Sequence, residues 1–171
     1  MRIFRSITGW PGGKPNSDDD GRPERSKPSK KRVLIFSPHP DDDVISMGGT
    51  FDRLVSQGHE VHVVYQTSGN IAVSNSDVLK FLEVINSTFP NFKGINKELI
   101  SLLKNNTEII NNPRVREIAA TIREKESLAA TRFIGITDKN VHFLKLPFYE
   151  TGGIKKSIPN NLDLKLTTKI I

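Results

Sequence analysis

Cysteine is absent from this chain. That excludes disulfides and thiolate metal sites, and it leaves His, Asp and Glu as the side chains able to hold a transition metal. No window approaches the roughly 18 consecutive apolar residues that a membrane span needs. The first ten residues carry Arg2 and Arg5 but lack the apolar stretch of about 7–15 residues that marks a secretory signal. A cytoplasmic, non-membrane protein is therefore expected. Strong charge of one sign is also scarce outside the leading segment. Residues 1–32 hold nine Lys or Arg against four acids, a net +5 of the total +6, so the remaining 139 residues carry only +1. Nucleic-acid binding through a basic face of the folded body is accordingly disfavoured.

What is present suits one α/β domain. Hydrophobic residues make up 36% and charged residues 26% of 171, the balance of a globular chain with room for a single core. Residues 1–32 are rich in Pro, Gly and charge, with few apolar side chains to bury, and are expected to form a linker or extended basic arm. Asp18, Asp19 and Asp20 belong to that arm. The domain is expected over residues 33–171.

Residues 33–36 form a short apolar run that predicts a buried parallel strand. Helical spacing follows over 44–57, with Gly58 as its stop. A second strand is predicted over 59–67, which makes a right-handed βαβ unit of about 35 residues. Gly48-Gly49 falls inside the predicted helix, where glycine is disfavoured, and implies close backbone packing against the sheet or a ligand. Residues 71–113 are expected to contribute short helices. An amphipathic helix is predicted over 114–134, stopping at Gly135, and a third strand over 140–146. The last eighteen residues, 154–171, show no strong period. The fold class is therefore a Rossmann-like parallel sheet with flanking helices.

Between the first strand and first helix lies Pro38-His39-Pro40-Asp41-Asp42-Asp43. The carboxyl end of a parallel strand is where open α/β sheets place ligands, and residues 67–70 are predicted to reach the same edge. In a turn stiffened by two prolines, His39 and Asp42 can approach one ion, with Asp41 between them pointing elsewhere unless it reaches over the open side. Zinc held by nitrogen and carboxylate oxygen, with a second carboxylate to take a proton, is the apparatus of a metal hydrolase. The plainer alternative is that the three aspartates cap the helix. His59 and His62 have His-x-x-His spacing, but on a strand their rings fall on opposite faces, which reads as a core and surface pair. His142 reads as a strand residue.

These residues resemble the LmbE-like (PIG-L) family of zinc-dependent de-N-acetylases, whose signature is (Ala/Pro)-His-Pro-Asp-Asp-(Glu/Asp). The resemblance continues through Gly48-Gly49-Thr50, the strand ending Gln66-Thr67-Ser68-Gly69, Arg123-x-x-Glu126, and Val141-His142-Phe143-Leu144-Lys145-Leu146-Pro147. More narrowly, Trp10-Pro11-Gly12-Gly13-Lys14-Pro15 and Leu146-Pro147-Phe148-Tyr149-Glu150-Thr151-Gly152 look like the carboxy-terminal part of bacterial proteins that join a glucosamine-6-phosphate deaminase module to such a domain. The resemblance implies His39 and Asp42 as zinc ligands and Asp41 as general base. It implies Arg123 as a substrate contact, with Ser68, Gly69 and Asn70 beside it, and hydrolysis of an N-acetylated amino sugar or its conjugate.

The family takes a further ligand and a second histidine from a downstream His-x-x-His, and no histidine follows Pro147 in this sequence. The expectation is a fragment with half a metal site, zinc weakly held or absent, and a sheet incomplete at its C-terminus. Such a chain would self-associate or associate with a deaminase module. The rival expectation is a catalytically silent domain that binds a sugar phosphate or a partner chain.

Overall fold

The computed structural model describes residues 30–89, 91, 97–105, 112–147 and 158–170. The leading arm up to residue 29 lies outside them, as do residues 148–157. Three parallel strands form the sheet, β1 (Arg32–Ser37), β2 (Glu60–Tyr65) and β3 (Val141–Phe143), in the order β1-β2-β3. Between β1 and β2 runs α1 (Asp42–Ser56). Between β2 and β3 come α2 (Asn75–Thr88), α3 (Lys97–Asn105) and the long α4 (Pro113–Ile134). A final helix, α5, spans Asn161–Thr168. Among the described residues, no helix is long and apolar enough to cross a membrane.

The period-2 pattern of the strands decides which side carries the core. Val33, Ile35, Val61, Val63, Tyr65, Val141 and Phe143 share the face packed by Phe51 and Leu54 of α1 and Leu128 of α4. A second core joins Val78 and Leu82 of α2 and Leu99 and Leu103 of α3 to Val115, Ala119 and Ile122 of α4. Helix α4 thus belongs to both cores, and Arg123 lies on it between them. Its ends are well specified by sequence. The Asn112 side chain accepts hydrogen bonds from the Arg114 and Val115 amides at 2.9 and 3.4 Å, Pro113 opens the first turn, and Gly135 closes the helix at φ +100°.

Three expectations need correction. Helix α5 lies in the stretch that showed no period. It is specified by a local capping box instead: Asn160 accepts from the Leu162 and Asp163 amides, and Asp163 accepts from the Asn160 amide at 2.7 Å. Gly48 and Gly49 are not tightly packed against the sheet. A Cβ on Gly49 would meet nothing within 4 Å, and one on Gly48 only a Val44 methyl at 3.8 Å. The irregular backbone is at Met47, with φ −144° and ψ 22°, so the glycines follow a kink. The third strand is shorter than residues 140–146 because Lys145 turns to φ +47°. Its pairing nevertheless continues beyond β3, with the Leu144 and Leu146 amides donating to Tyr65 and Gln66 carbonyls, both at 2.9 Å.

Candidate active site

The register of β1 on β2 sets Ser37 opposite Tyr65, and that pairing anchors the motif. Asp43, in the first turn of α1, is 2% exposed. The Tyr65 hydroxyl donates to its Oδ2 at 2.8 Å, and the Asp43 amide donates to Ser37 Oγ at 3.0 Å. Ser37 Oγ in turn donates to the His39 carbonyl at 2.6 Å. Burial first, and then the charge and hydrogen bond of Asp43, push the Tyr65 phenol well above its ordinary range. A carboxylate buried and paired in this way is a structural post.

The turn itself is held from two further sides. The Thr67 amide and hydroxyl both donate to the Pro38 carbonyl, at 3.1 and 2.8 Å. Ser127 of α4 donates to the Pro40 carbonyl at 2.7 Å. Gly69, at φ +65°, lies so close to Pro40 that an added Cβ would stand 2.7 Å from the proline Cδ. Gly69→Ala is therefore expected to destabilise the fold by more than about 1 kcal/mol, the usual scale for alanine forced to positive φ. Urea denaturation checks this, and an unchanged midpoint would show that the turn relaxes freely.

On this platform His39 Nδ1 and Asp42 Oδ2 lie 2.9 Å apart, and the same Asp42 oxygen accepts the His39 amide at 3.0 Å. Their side chains remain 40% and 35% exposed, so both are reachable from solvent. Asp41 occupies the position just before α1, yet its side chain makes no capping bond. Its Oδ2 instead receives Arg123 Nη2 at 2.7 Å, across 82 residues of sequence. Arg123 also donates to Glu126 at 2.8 Å, and its side chain is only 16% exposed. Burial works to lower the Arg123 guanidinium, but Asp41 and then Glu126 outweigh it and raise it above its ordinary value. The cap reading thus does not describe Asp41, whose carboxylate is engaged by a distant helix.

Of the other residues singled out from sequence, Arg123 and Gly69 come together, with Arg123 Nε 3.5 Å from where a Gly69 Cβ would be. Ser68 and Asn70 are buried at the same edge, and Asn70 lines a cavity of about 240 Å³ with Ile71, Val115 and Ala119. The His-x-x-His pair separates as the strand period requires. His59 is buried and accepts the Lys31 amide at 3.2 Å, its basicity lowered by burial and by Lys31. His62 points to the other sheet face and meets His142.

Zinc is implied by the resemblance, and the donor set present is one imidazole nitrogen and one carboxylate oxygen. Their 2.9 Å separation is near the roughly 3.3 Å expected between neighbouring donors at zinc bond lengths. The pair fits two positions of such a site. Among the described residues, no three His, Asp or Glu side chains converge to complete one.

The profile of the family described as PIG-L, GlcNAc-PI de-N-acetylase, matches residues 34–167. A glucosamine-6-phosphate deaminase-like protein of Bacteroides thetaiotaomicron is 47% identical over 186 aligned positions, covering all of this chain and 28% of that protein. The chain therefore spans just over a quarter of that relative. A diacetylchitobiose deacetylase of Thermococcus kodakarensis is 38% identical over 48 residues, 28% of this chain and 18% of that protein. A 1D-myo-inositol 2-acetamido-2-deoxy-alpha-D-glucopyranoside deacetylase of Rhodococcus opacus is 42% identical over 41 residues, 24% of this chain and 14% of that protein. No solved structure matches.

Proposed function

This chain belongs to the PIG-L family of de-N-acetylases, and from that premise we propose that it carries the metal-and-base half of a hydrolase removing N-acetyl groups from an amino sugar or its conjugate. The observation that supports this most is the turn at residues 38–43. There His39 Nδ1 and Asp42 Oδ2 stand 2.9 Å apart, beside a carboxylate, Asp41, that Arg123 holds at 2.7 Å. The relatives named as deacetylases of N-acetylated sugars, and the one named for a glucosamine-6-phosphate deaminase, support amino-sugar chemistry as the setting.

In this reading His39 and Asp42 would hold zinc. Zinc at such a site supplies a water whose pKa falls from about 16 toward 7. The rest is the work of side chains. Asp41 takes the proton from the attacking water and is the residue placed to return it to the departing sugar amine. Arg123, fixed by Asp41 and Glu126, orients the base and offers a cation to an anionic or polar substrate group. Ser68, Gly69 and Asn70 form the edge against which the sugar is placed. Asp43, Tyr65 and Ser37 keep the turn from moving when the metal or substrate arrives.

The test is acetate release by the zinc-supplemented chain from N-acetylglucosaminyl substrates. Activity should fall to background in His39→Ala and in Asp42→Ala. A chain that releases no acetate, or variants as active as the parent, would overturn the hydrolase reading. A second reading starts from the two donors brought together, His39 Nδ1 and Asp42 Oδ2, where catalytic zinc ordinarily takes three from protein. In that case the domain is catalytically silent and binds a sugar phosphate or a partner chain such as a deaminase module. Glucosamine-6-phosphate binding without acetate release is the result expected from it.

A further inference from the structure

The sheet face opposite the main core carries a second group of donors, which neither the motif nor the family comparison accounts for. His62 on β2 and His142 on β3 are not direct partners in the ladder, since Val64 pairs with His142. They are diagonal neighbours on one face, a spacing that imidazole rings can bridge. His62 Nδ1 and His142 Nε2 stand 3.2 Å apart. The rings are nearly coplanar, 8° between planes with centroids 5.5 Å apart, so these two nitrogens meet edge to edge.

The remaining nitrogen of His62 defines the tautomer. Its Nε2 lies 3.1 Å from Glu60 Oε1. An ionised carboxylate only accepts, so Nε2 carries the hydrogen and Nδ1 presents a lone pair. A carboxylate behind an imidazole, fixing its tautomer and raising its basicity, is the recurring outer support of metal-ligating histidines.

We propose that His62 and His142 form a second metal site, a two-imidazole site for a borderline divalent cation such as zinc or copper(II), with Glu60 as the positioning carboxylate. The 3.2 Å nitrogen separation matches the roughly 3.3 Å expected for two donors on one tetrahedral zinc. Imidazole nitrogen suits zinc and copper. Space for the remaining ligands exists in a cavity of about 290 Å³ lined by Arg32, Val33, Leu34, His62, His142 and Ile170. Among the described residues of that lining, Arg32 is the cation. It lies 3.6 Å from the Glu60 carboxylate and is largely exposed, so it is balanced locally. In the metal-free pair the His142 Nε2 hydrogen bonds His62 Nδ1. Binding moves that hydrogen to His142 Nδ1 and turns both lone pairs onto the ion. With two protein donors, the other positions fall to water, and the affinity is that of an accessory site.

The experiment uses the full chain, stripped of metal and titrated with zinc alone by calorimetry. In His39→Ala/Asp42→Ala, which lacks the first pair, one equivalent of zinc should still bind. Adding His142→Gln should weaken that binding at least tenfold. Glu60→Gln, an exposed change that leaves both rings in place, should weaken it by about ten- to a hundredfold, the usual effect of removing a supporting carboxylate. Nitrogen-15 NMR of the imidazoles should show zinc shifting His62 Nδ1 and His142 Nε2. Complete loss of zinc in His39→Ala/Asp42→Ala, or unchanged affinity after His142→Gln, overturns the proposal. The outcome also bears on any metal count made for the first site, because zinc bound at His62 and His142 would be mistaken for zinc at His39.

Discussion

Asp41→Asn is expected to lower acetate release by about 10²–10⁴-fold, the contribution of a positioned general base, while zinc content stays as it is and the fold is retained. Asparagine keeps the size of the side chain and an oxygen that can still accept Arg123 Nη2, now 2.7 Å from Asp41 Oδ2. What it loses is the capacity to take up a proton. A fall in turnover with metal and fold unaltered therefore isolates proton transfer from placement. Arg123→Met supplies the contrast. It removes the contact that orients Asp41 but leaves the base present, so a smaller loss is expected, accompanied by reduced stability because the Asp41 carboxylate loses its cation. If Asp41→Asn loses zinc together with activity, Asp41 is a ligand and the assignment of base is wrong. If it retains full activity, the base lies elsewhere.

The parts of this architecture that could be read in advance are those written locally. The apolar run before Ser37, the helical spacing after Asp42 and the stop of α4 at Gly135 each depend on a few adjacent residues, and they appear where expected. The convergence of His39 and Asp42 was legible for the same reason, since three residues and two prolines set it. Helix α5 was missed because an eight-residue helix has too few turns to show a period. Its signal was the reciprocal Asn160 and Asp163 cap. Packing of Gly48-Gly49 against the sheet was misread because a glycine pair reports that the backbone is unusual without saying whether the cause is a neighbour or a kink.

What could not be read at all depends on register. The meeting of His62 with His142 spans 80 residues and three intervening helices, and it requires knowing which residue of β3 faces which of β2. The Asp41 contact with Arg123 likewise depends on where α4 crosses the end of the sheet. Family resemblance singled out Arg123 as a substrate contact, but nothing in the spacing indicated that it would hold the neighbouring carboxylate. The candidate site is therefore half local and half topological, and the residues that stabilise it belong mostly to the second kind.

Tyr65 is the clearest of these, and Tyr65→Phe is expected to destabilise the fold by about 1.5–3 kcal/mol, the range for a hydrogen bond to a charged group. The substitution deletes one oxygen from a fully buried ring and leaves the Asp43 carboxylate, 2% exposed, with its Ser37 contacts alone. The pH dependence adds a second readout. In the folded protein the phenol is raised well above its ordinary value by burial and by Asp43, whereas in the unfolded chain it titrates near about 10. A raised acid contributes stability that is complete below the unfolded value and is lost as pH climbs past it, because only the unfolded chain then gives up the proton. The parent should therefore lose stability above about pH 10, and Tyr65→Phe should lack that part of the slope. Urea denaturation of both proteins at pH 8 and above about pH 10 measures the difference. A gap that stays constant across the two pH values would mean that Tyr65 ionises as easily in the fold as outside it, and that its bond to Asp43 is not what holds the turn. A gap that narrows with rising pH shows that the fold holds the phenol protonated, by burial first and by Asp43 beside His39 and Asp42 second. Changes at Tyr65 would then be expected to loosen His39 and Asp42 without touching either.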